Sequence, residues 1–229
     1  MKLHEAIRQA VKLRPDVKAY LSNYARYMLY EPAEYKTAEY MLRQIEGLVR
    51  SLYGGYIGGE FIDTMANVIS GQLTQAFRQA YEDNGYTDYF APDYLQAGLD
   101  AMILDQYNYV DGFFKDIVNA RIDGTSIEPL LARARLWANQ WTAAYNEAVR
   151  LMGIENGSRM IWTLGEAEHC TTCLNLNGIV AFASEWDAIG IKPQSDRLEC
   201  HGFNCACSLE VTDKRRSPDA YGRIEEALL

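Results

Sequence analysis

All five cysteines of this chain, and two of its three histidines, lie between His169 and Cys207. They form a knuckle, Cys170-Thr-Thr-Cys173, and a second group, Cys200-His201-Gly-Phe-Asn-Cys205-Ala-Cys207. Nothing upstream of His169 contains a cysteine, although chance placement would scatter five of them over 229 residues. The clustering constrains the C-terminal part to a small module held by something other than a large apolar core. A Cys-x-x-Cys pair followed by further cysteines has the ligand spacing of a zinc site.

Zinc takes four thiolate or imidazole ligands in a tetrahedron. The knuckle supplies Cys170 and Cys173, and Cys200 and Cys205 are expected to complete the set. Cys207 lies two residues beyond Cys205, so on an extended segment both sulfurs face the same side, and it can replace Cys200. His201 can replace either. Six candidates thus compete for four places, and the zinc is expected to be structural. Disulfides are the competing reading; they require an oxidising compartment and leave one thiol over.

Catalytic patterns are thin. Deaminase-type zinc sites need His-x-Glu and Pro-Cys-x-x-Cys, whereas His169 precedes Cys170-Thr171 and His201 precedes Gly202-Phe203. Four protein ligands would also close the sphere against water. Glu166-Ala-Glu168 resembles the Glu-x-Glu of ADP-ribosyltransferases but lacks the accompanying Arg and Ser-Thr-Ser strands. His201 and Asn204 between cysteines faintly resemble a His-Asn-His nuclease, which needs more histidines than remain. There is no phosphate loop, nucleophile elbow or His-Glu-x-x-His. No catalytic residue is assigned, and the chain is not expected to be an enzyme.

Upstream of the cysteines the pattern is helix after helix. Met41, Ile45, Leu48, Val49 and Leu52 follow the spacing of a buried stripe, ended by the glycines at 54–59, a breaker and expected hinge. A second stripe (Phe61, Met65, Ile69, Leu73, Phe77, Ala80) stops near Asn84-Gly85, and a third runs from Leu95 to Val118 behind Pro92. After Asp123-Gly124, Ser126 is placed to cap a fourth helix carrying Leu130, Ala134, Trp137, Trp141, Ala144, Ala148 and Met152, closed by Gly153 or Gly157. Beyond it, Met160–Leu164, Gly178–Phe182 and Cys207–Val211 are short and β-prone. The expected fold is mainly α: an elongated helical bundle over residues 1–157, a Cys-rich zinc-ribbon-like β module over 158–212, and a basic then helical tail over 213–229.

An apolar fraction of 48% excludes a disordered chain. No apolar stretch nears the roughly 20 residues that span a bilayer. The start, Met1 to Arg8, has the amphipathic period of a helix rather than the make-up of a signal peptide, so the expectation is a soluble protein made in a cytoplasm. A formal net charge of −9 argues against wholesale nucleic-acid binding. The charge is polarised: Lys2, Arg8, Lys12, Arg14, Lys18 and Arg26 crowd the start, and acids from Glu82 to Glu128 crowd the middle. Sixteen tyrosines, including a helical run at Tyr20, Tyr24, Tyr27 and Tyr30, suit interfaces.

The order of the C-terminal motifs resembles a known family. Ala143-Ala-Tyr-Asn-Glu-Ala148 leads to Gly153, then Trp162, Cys170-Thr-Thr-Cys173, Leu176-Asn-Gly178 and His201…Cys205-Ala-Cys207. This is similar to the phage Mu F-like minor head proteins, or phage head morphogenesis proteins, over about residues 128–212. Two departures stand out. Asn139-Gln140-Trp141 replaces the family's Arg-Thr-Glu, and His201-Gly-Phe-Asn-Cys205 is one residue longer than His-Pro-x-Cys, with Cys200 added before it. The resemblance implies a virion component, made in the host cytoplasm and present in several copies inside the capsid at the portal vertex. Its expected partners are the portal protein, other capsid components and packaged DNA, and no membrane. The competing readings are a zinc-dependent, nuclease-like enzyme or effector packaged in the virion, and a zinc-ribbon adaptor that binds nucleic acid through Lys214, Arg215 and Arg216.

Overall fold

A computed structural model describes residues 37–86, 92–202 and 205–228. The amphipathic start, the basic segment and the tyrosines from Tyr20 to Tyr30 lie outside the described residues. Among the described residues the chain is mainly helical, with seven helices and one small antiparallel sheet. Packing divides it into two compact units: residues 37–79 with 92–144, and residues 80–86 with 145–228.

The first unit is built from α1 (Ala38–Gly54), most of α2 (Glu60–Asp83), α3 (Asp93–Asp123) and the first part of α4 (Glu128–Glu155). Thr37 caps α1 by accepting the Tyr40 N–H at 3.1 Å. The chain leaves α1 through Gly55, whose φ of 76° is a left-handed cap that only glycine adopts freely. Residues 54–59 are thus the stop of α1 and the entry to α2. Each apolar stripe of the sequence is buried here: Met41, Ile45 and Val49 of α1, Met65, Ile69 and Leu73 of α2, and Leu95, Ile103 and Ile117 of α3. Phe113 ties α3 to α4 through Trp137, 4.6 Å between ring centroids, and meets Phe61 of α2 at 6.4 Å. Tyr107 spends its hydroxyl on the Ala66 carbonyl at 3.2 Å, as a helix-packing tyrosine. Ser126 caps α4 by accepting the Glu128 N–H at 3.2 Å.

The second unit carries the cysteines. The end of α4 stops at Gly157, with φ 61°. Then come β1 (Arg159–Thr163), α5 (Thr171–Leu176), β2 (Val180–Phe182), α6 (Ala183–Ile189), β3 (Ser208–Val211) and α7 (Ala220–Glu226). The sheet order is β2-β1-β3, with Met160 opposite Ala181 and Trp162 opposite Leu209. Met160 and Trp162 alternate with half-exposed neighbours, so β1 presents one buried face. Trp162 and Trp186 are both fully buried, with ring centroids 5.7 Å apart, and the Trp186 indole donates to the Met160 carbonyl at 3.3 Å.

Three features differ from the sequence reading. The strands stand where they were expected, but the knuckle opens a helix, α5, and α6 was not anticipated. The module also has a real apolar centre, because each buried tryptophan contributes about 3–5 kcal/mol against its removal. Residues 213–228, expected as a basic then helical tail, do carry a helix, α7, but they pack on the unit. Ser217 exchanges two hydrogen bonds with the backbone of Val180, at 2.8 and 3.0 Å. Ala220 and Ile224 of α7 are fully buried. Arg216, expected in an exposed basic exit, pairs with Glu185 of α6.

Candidate metal centre

The five thiols converge, and none is in a disulfide. They form two overlapping triads: Cys170, Cys173 and Cys200, and Cys173, Cys205 and Cys207. Within each triad all sulfurs lie within 4.8 Å of one another. Cys173 belongs to both. The expected set of Cys170, Cys173, Cys200 and Cys205 therefore straddles the two triads, and Cys207, ranked as an alternate, is a full member of the second.

Local structure explains the first triad. Cys170 precedes α5 and Cys173 lies in its first turn, so one turn of helix brings their sulfurs together. A separate clip brings up Cys200. Its neighbour Glu199 accepts the Thr171 N–H at 2.8 Å, and the Glu199 N–H donates to the Thr172 hydroxyl at 3.3 Å. Burial pushes the Cys170 thiol up, but backbone N–H groups of Cys173 and Cys200 more than offset it and hold it below the usual thiol range. Burial leaves Cys200 raised.

The second triad has its own support. The Gln194 side-chain amide donates to the carbonyls of Cys205 at 2.8 Å and Cys207 at 2.9 Å. Its oxygen accepts from Asn146 of α4 at 2.9 Å, and Asn146 also reaches the Cys207 carbonyl at 3.2 Å. Two glycines make the close approaches possible. A Cβ on Gly165 would lie 2.1 Å from the Ala206 carbonyl oxygen, and one on Gly202, at φ 76°, would lie 2.4 Å from that of Gln194.

The thiols of this triad compete for protons. Cys173 Sγ lies 4.0 Å from Cys205 Sγ. Cys205 is held down to about 2, first by the Cys173 thiol and then by Cys207 donating to it. The same bond to Cys205, with that to Cys207, pushes Cys173 up. Cys207 is drawn down by Cys173 but pushed up further by Cys205 and by burial, to about 11. Negative charge is thus drawn toward Cys205 and away from Cys173 and Cys207, and a metal ion bound here would take the place of the shared protons. The surroundings fit such a group. The buried Trp162 indole N–H meets no oxygen or nitrogen acceptor, and its interaction with the Cys207 sulfur favours that thiolate. A metal-bound thiolate accepts such a donor readily.

The two histidines fare differently from the sequence reading. His201, the expected alternate ligand, turns its Nδ1 to the Asp196 carbonyl at 2.9 Å and is exposed. His169, which spacing did not single out, places Nδ1 3.8 Å from Cys207 Sγ, just outside the second triad. Gln194 and Asn146 were also missed; no motif marks a clamp assembled from a loop and a helix. Glu166 and Glu168 are exposed beside the site.

A half-buried ionic cluster lies within the same unit, between the end of α4, α6 and Lys192. Arg150 chelates both carboxylate oxygens of Glu147, at 2.6 and 3.0 Å, and also pairs with Asp187, while Lys192 reaches Glu147 at 3.1 Å. Burial raises the Glu147 carboxyl, but Arg150 and Lys192 outweigh it and hold it below the usual range. Among the described residues no helix is long and apolar enough to cross a membrane. No family model, no curated protein and no solved structure matches this chain.

Proposed function

We propose that this chain is a minor head protein of a tailed phage, docking inside the capsid at the portal vertex during head assembly, with a zinc-clamped C-terminal module as its rigid contact surface. The observation that carries the reading is convergence. From Tyr145 onward, the segments whose order resembles the Mu F-like proteins lie apart in sequence yet belong to one packed unit. Asn146 of the long helix bonds the Cys207 carbonyl, and the turn at Gly178 donates to the carbonyl of Trp162 at 2.9 Å. Those residues are thus spaced by the needs of a single folded object, which is what a family pattern encodes. Zinc suits the donors, because thiolates are soft ligands and four-coordinate zinc closes a structural site without redox chemistry. A module held in this way offers a stiff surface, as a docking protein requires. The polarised charge and abundant tyrosine of the chain suit protein contacts over turnover.

The test is mass spectrometry of purified phage heads together with binding of the purified chain to the portal protein of the same phage. The expected result is a chain present in few copies per head that co-elutes with portal. Absence from purified heads overturns the reading.

A further inference from the structure

We propose that the cysteine cluster takes two zinc ions, not one, with the Cys173 thiolate bridging them: Cys170, Cys173 and Cys200 hold the first ion, and Cys173, Cys205 and Cys207 hold the second. His169 is the nearest further donor to the second ion. The inference rests on the metal reading of this site and goes beyond it in number, ligand set and bridging.

A single zinc ion with bonds of about 2.3 Å sets its four sulfurs about 3.8 Å apart, every one a neighbour of every other. The described residues provide no such foursome; they provide two threes that share Cys173. The shared sulfur is itself buried, at 1% exposure, between the two sets. Each triad also has its own independent scaffold. The first is drawn together by the clip between Glu199 and the backbone of Thr171 and side chain of Thr172. The second is drawn together by Gln194 and Asn146 on the carbonyls of Cys205 and Cys207. A chain that needed only one four-sulfur ion would also leave one thiol packed beside it without a task.

The second ion comes nearest to a closed sphere. Cys173 and Cys205 are 4.0 Å apart, close to the tetrahedral edge, and His169 Nδ1 stands 3.8 Å from Cys207 Sγ. A turn of the imidazole would supply a Cys3His set, a common closed zinc arrangement. The first ion has three protein thiolates and is left with an exchangeable place. Loading is simple in balance: each ion enters as a dication, the thiol protons leave to solvent, and no atom is oxidised or reduced. Two dications against five thiolates leave one net negative charge.

The experiment uses the full chain, reduced, saturated with zinc and desalted, with zinc counted by elemental analysis and native mass spectrometry. Two ions per chain are expected, and one per chain for Cys200→Ser and for Cys207→Ser. The ion remaining in Cys200→Ser should resist chelator longer than the ion remaining in Cys207→Ser. Cadmium loading of the unmodified chain supplies a readout that needs no variant. Two cadmium resonances of equal area, coupled through the bridging sulfur, are expected. One ion per saturated chain, one resonance, or an unchanged count in a folded Cys200→Ser overturns the two-ion proposal and leaves the single-metal reading standing. No metal at all overturns both.

Discussion

Gln194 offers no thiolate or imidazole to a metal, yet on the proposed reading its removal should weaken metal binding at the cysteine cluster. Its amide nitrogen holds the carbonyls of both Cys205 and Cys207, and its oxygen anchors Asn146. In Gln194→Ala these three hydrogen bonds are lost. The Cys207 carbonyl keeps Asn146, but the Cys205 carbonyl loses its side-chain donor. At about 0.5–1.5 kcal/mol for each bond, the second unit should lose roughly 2–4 kcal/mol. The metal then has to order a loop that was already set in the unmodified chain. Each 1.4 kcal/mol of that ordering is about a tenfold loss in affinity, so zinc binding should weaken about tenfold or more. Gln194→Glu keeps the size but cannot donate to either carbonyl, so it should be at least as damaging. Stability would be read by urea denaturation followed through near-UV circular dichroism of Trp162 and Trp186, and affinity by competition with a chromophoric chelator. A folded Gln194→Ala that binds zinc within threefold of the unmodified chain would refute the clamp.

Gly165→Ala forces a methyl against the Ala206 carbonyl and should cost about 1–3 kcal/mol, seen as a lower urea midpoint; an unchanged midpoint would show that the loop yields freely. Trp186→Ala should cost about 3–5 kcal/mol and abolish the near-UV signal of the second unit. The Glu147 carboxyl is depressed in the folded state, so its contribution is present above the unfolded value and is lost as pH falls through the folded one. Glu147→Gln should therefore flatten the acid limb of Tm against pH, and an acid limb identical in both proteins would exclude this group as its source. Chelation should open residues 164–173 and 194–207 to protease while the Trp162–Trp186 centre keeps its near-UV signal; cleavage spread evenly through the sheet would show that metal holds the whole unit.

Much of the fold was legible before the structure. The stripes through Ile45, Ile69, Ile103 and Ala134 were readable because helical burial repeats every three to four residues, and that period is written locally. The stops at Gly55, Gly85, Gly124 and Gly157 were readable because a left-handed cap is a property of one residue. The strands at Met160, Val180 and Leu209 were placed to within two residues by β-prone composition between turns. The cysteines announced a common site because few other tasks gather soft ligands in one short segment.

What sequence could not convey is which side chains share space. Two histidines flank the cysteines, and the better-spaced His201 turns to a carbonyl while His169 comes to Cys207. The knuckle could open a helix or a hairpin; a buried Thr172, bonded to the Glu199 backbone, goes with the helix. The basic run at Lys214 to Arg216 looked like a free exit until Glu185, on another helix, claimed Arg216. Gln194 and Asn146 carry no signal at all, because a clamp between a loop and a helix 48 residues apart has no period and no motif. The sequence by itself determined the four long helices, their ends and the gathering of the cysteines, since these depend on neighbours along the chain. Only the tertiary structure decided the division of five thiols into two triads around Cys173, since that depends on contacts made at a distance.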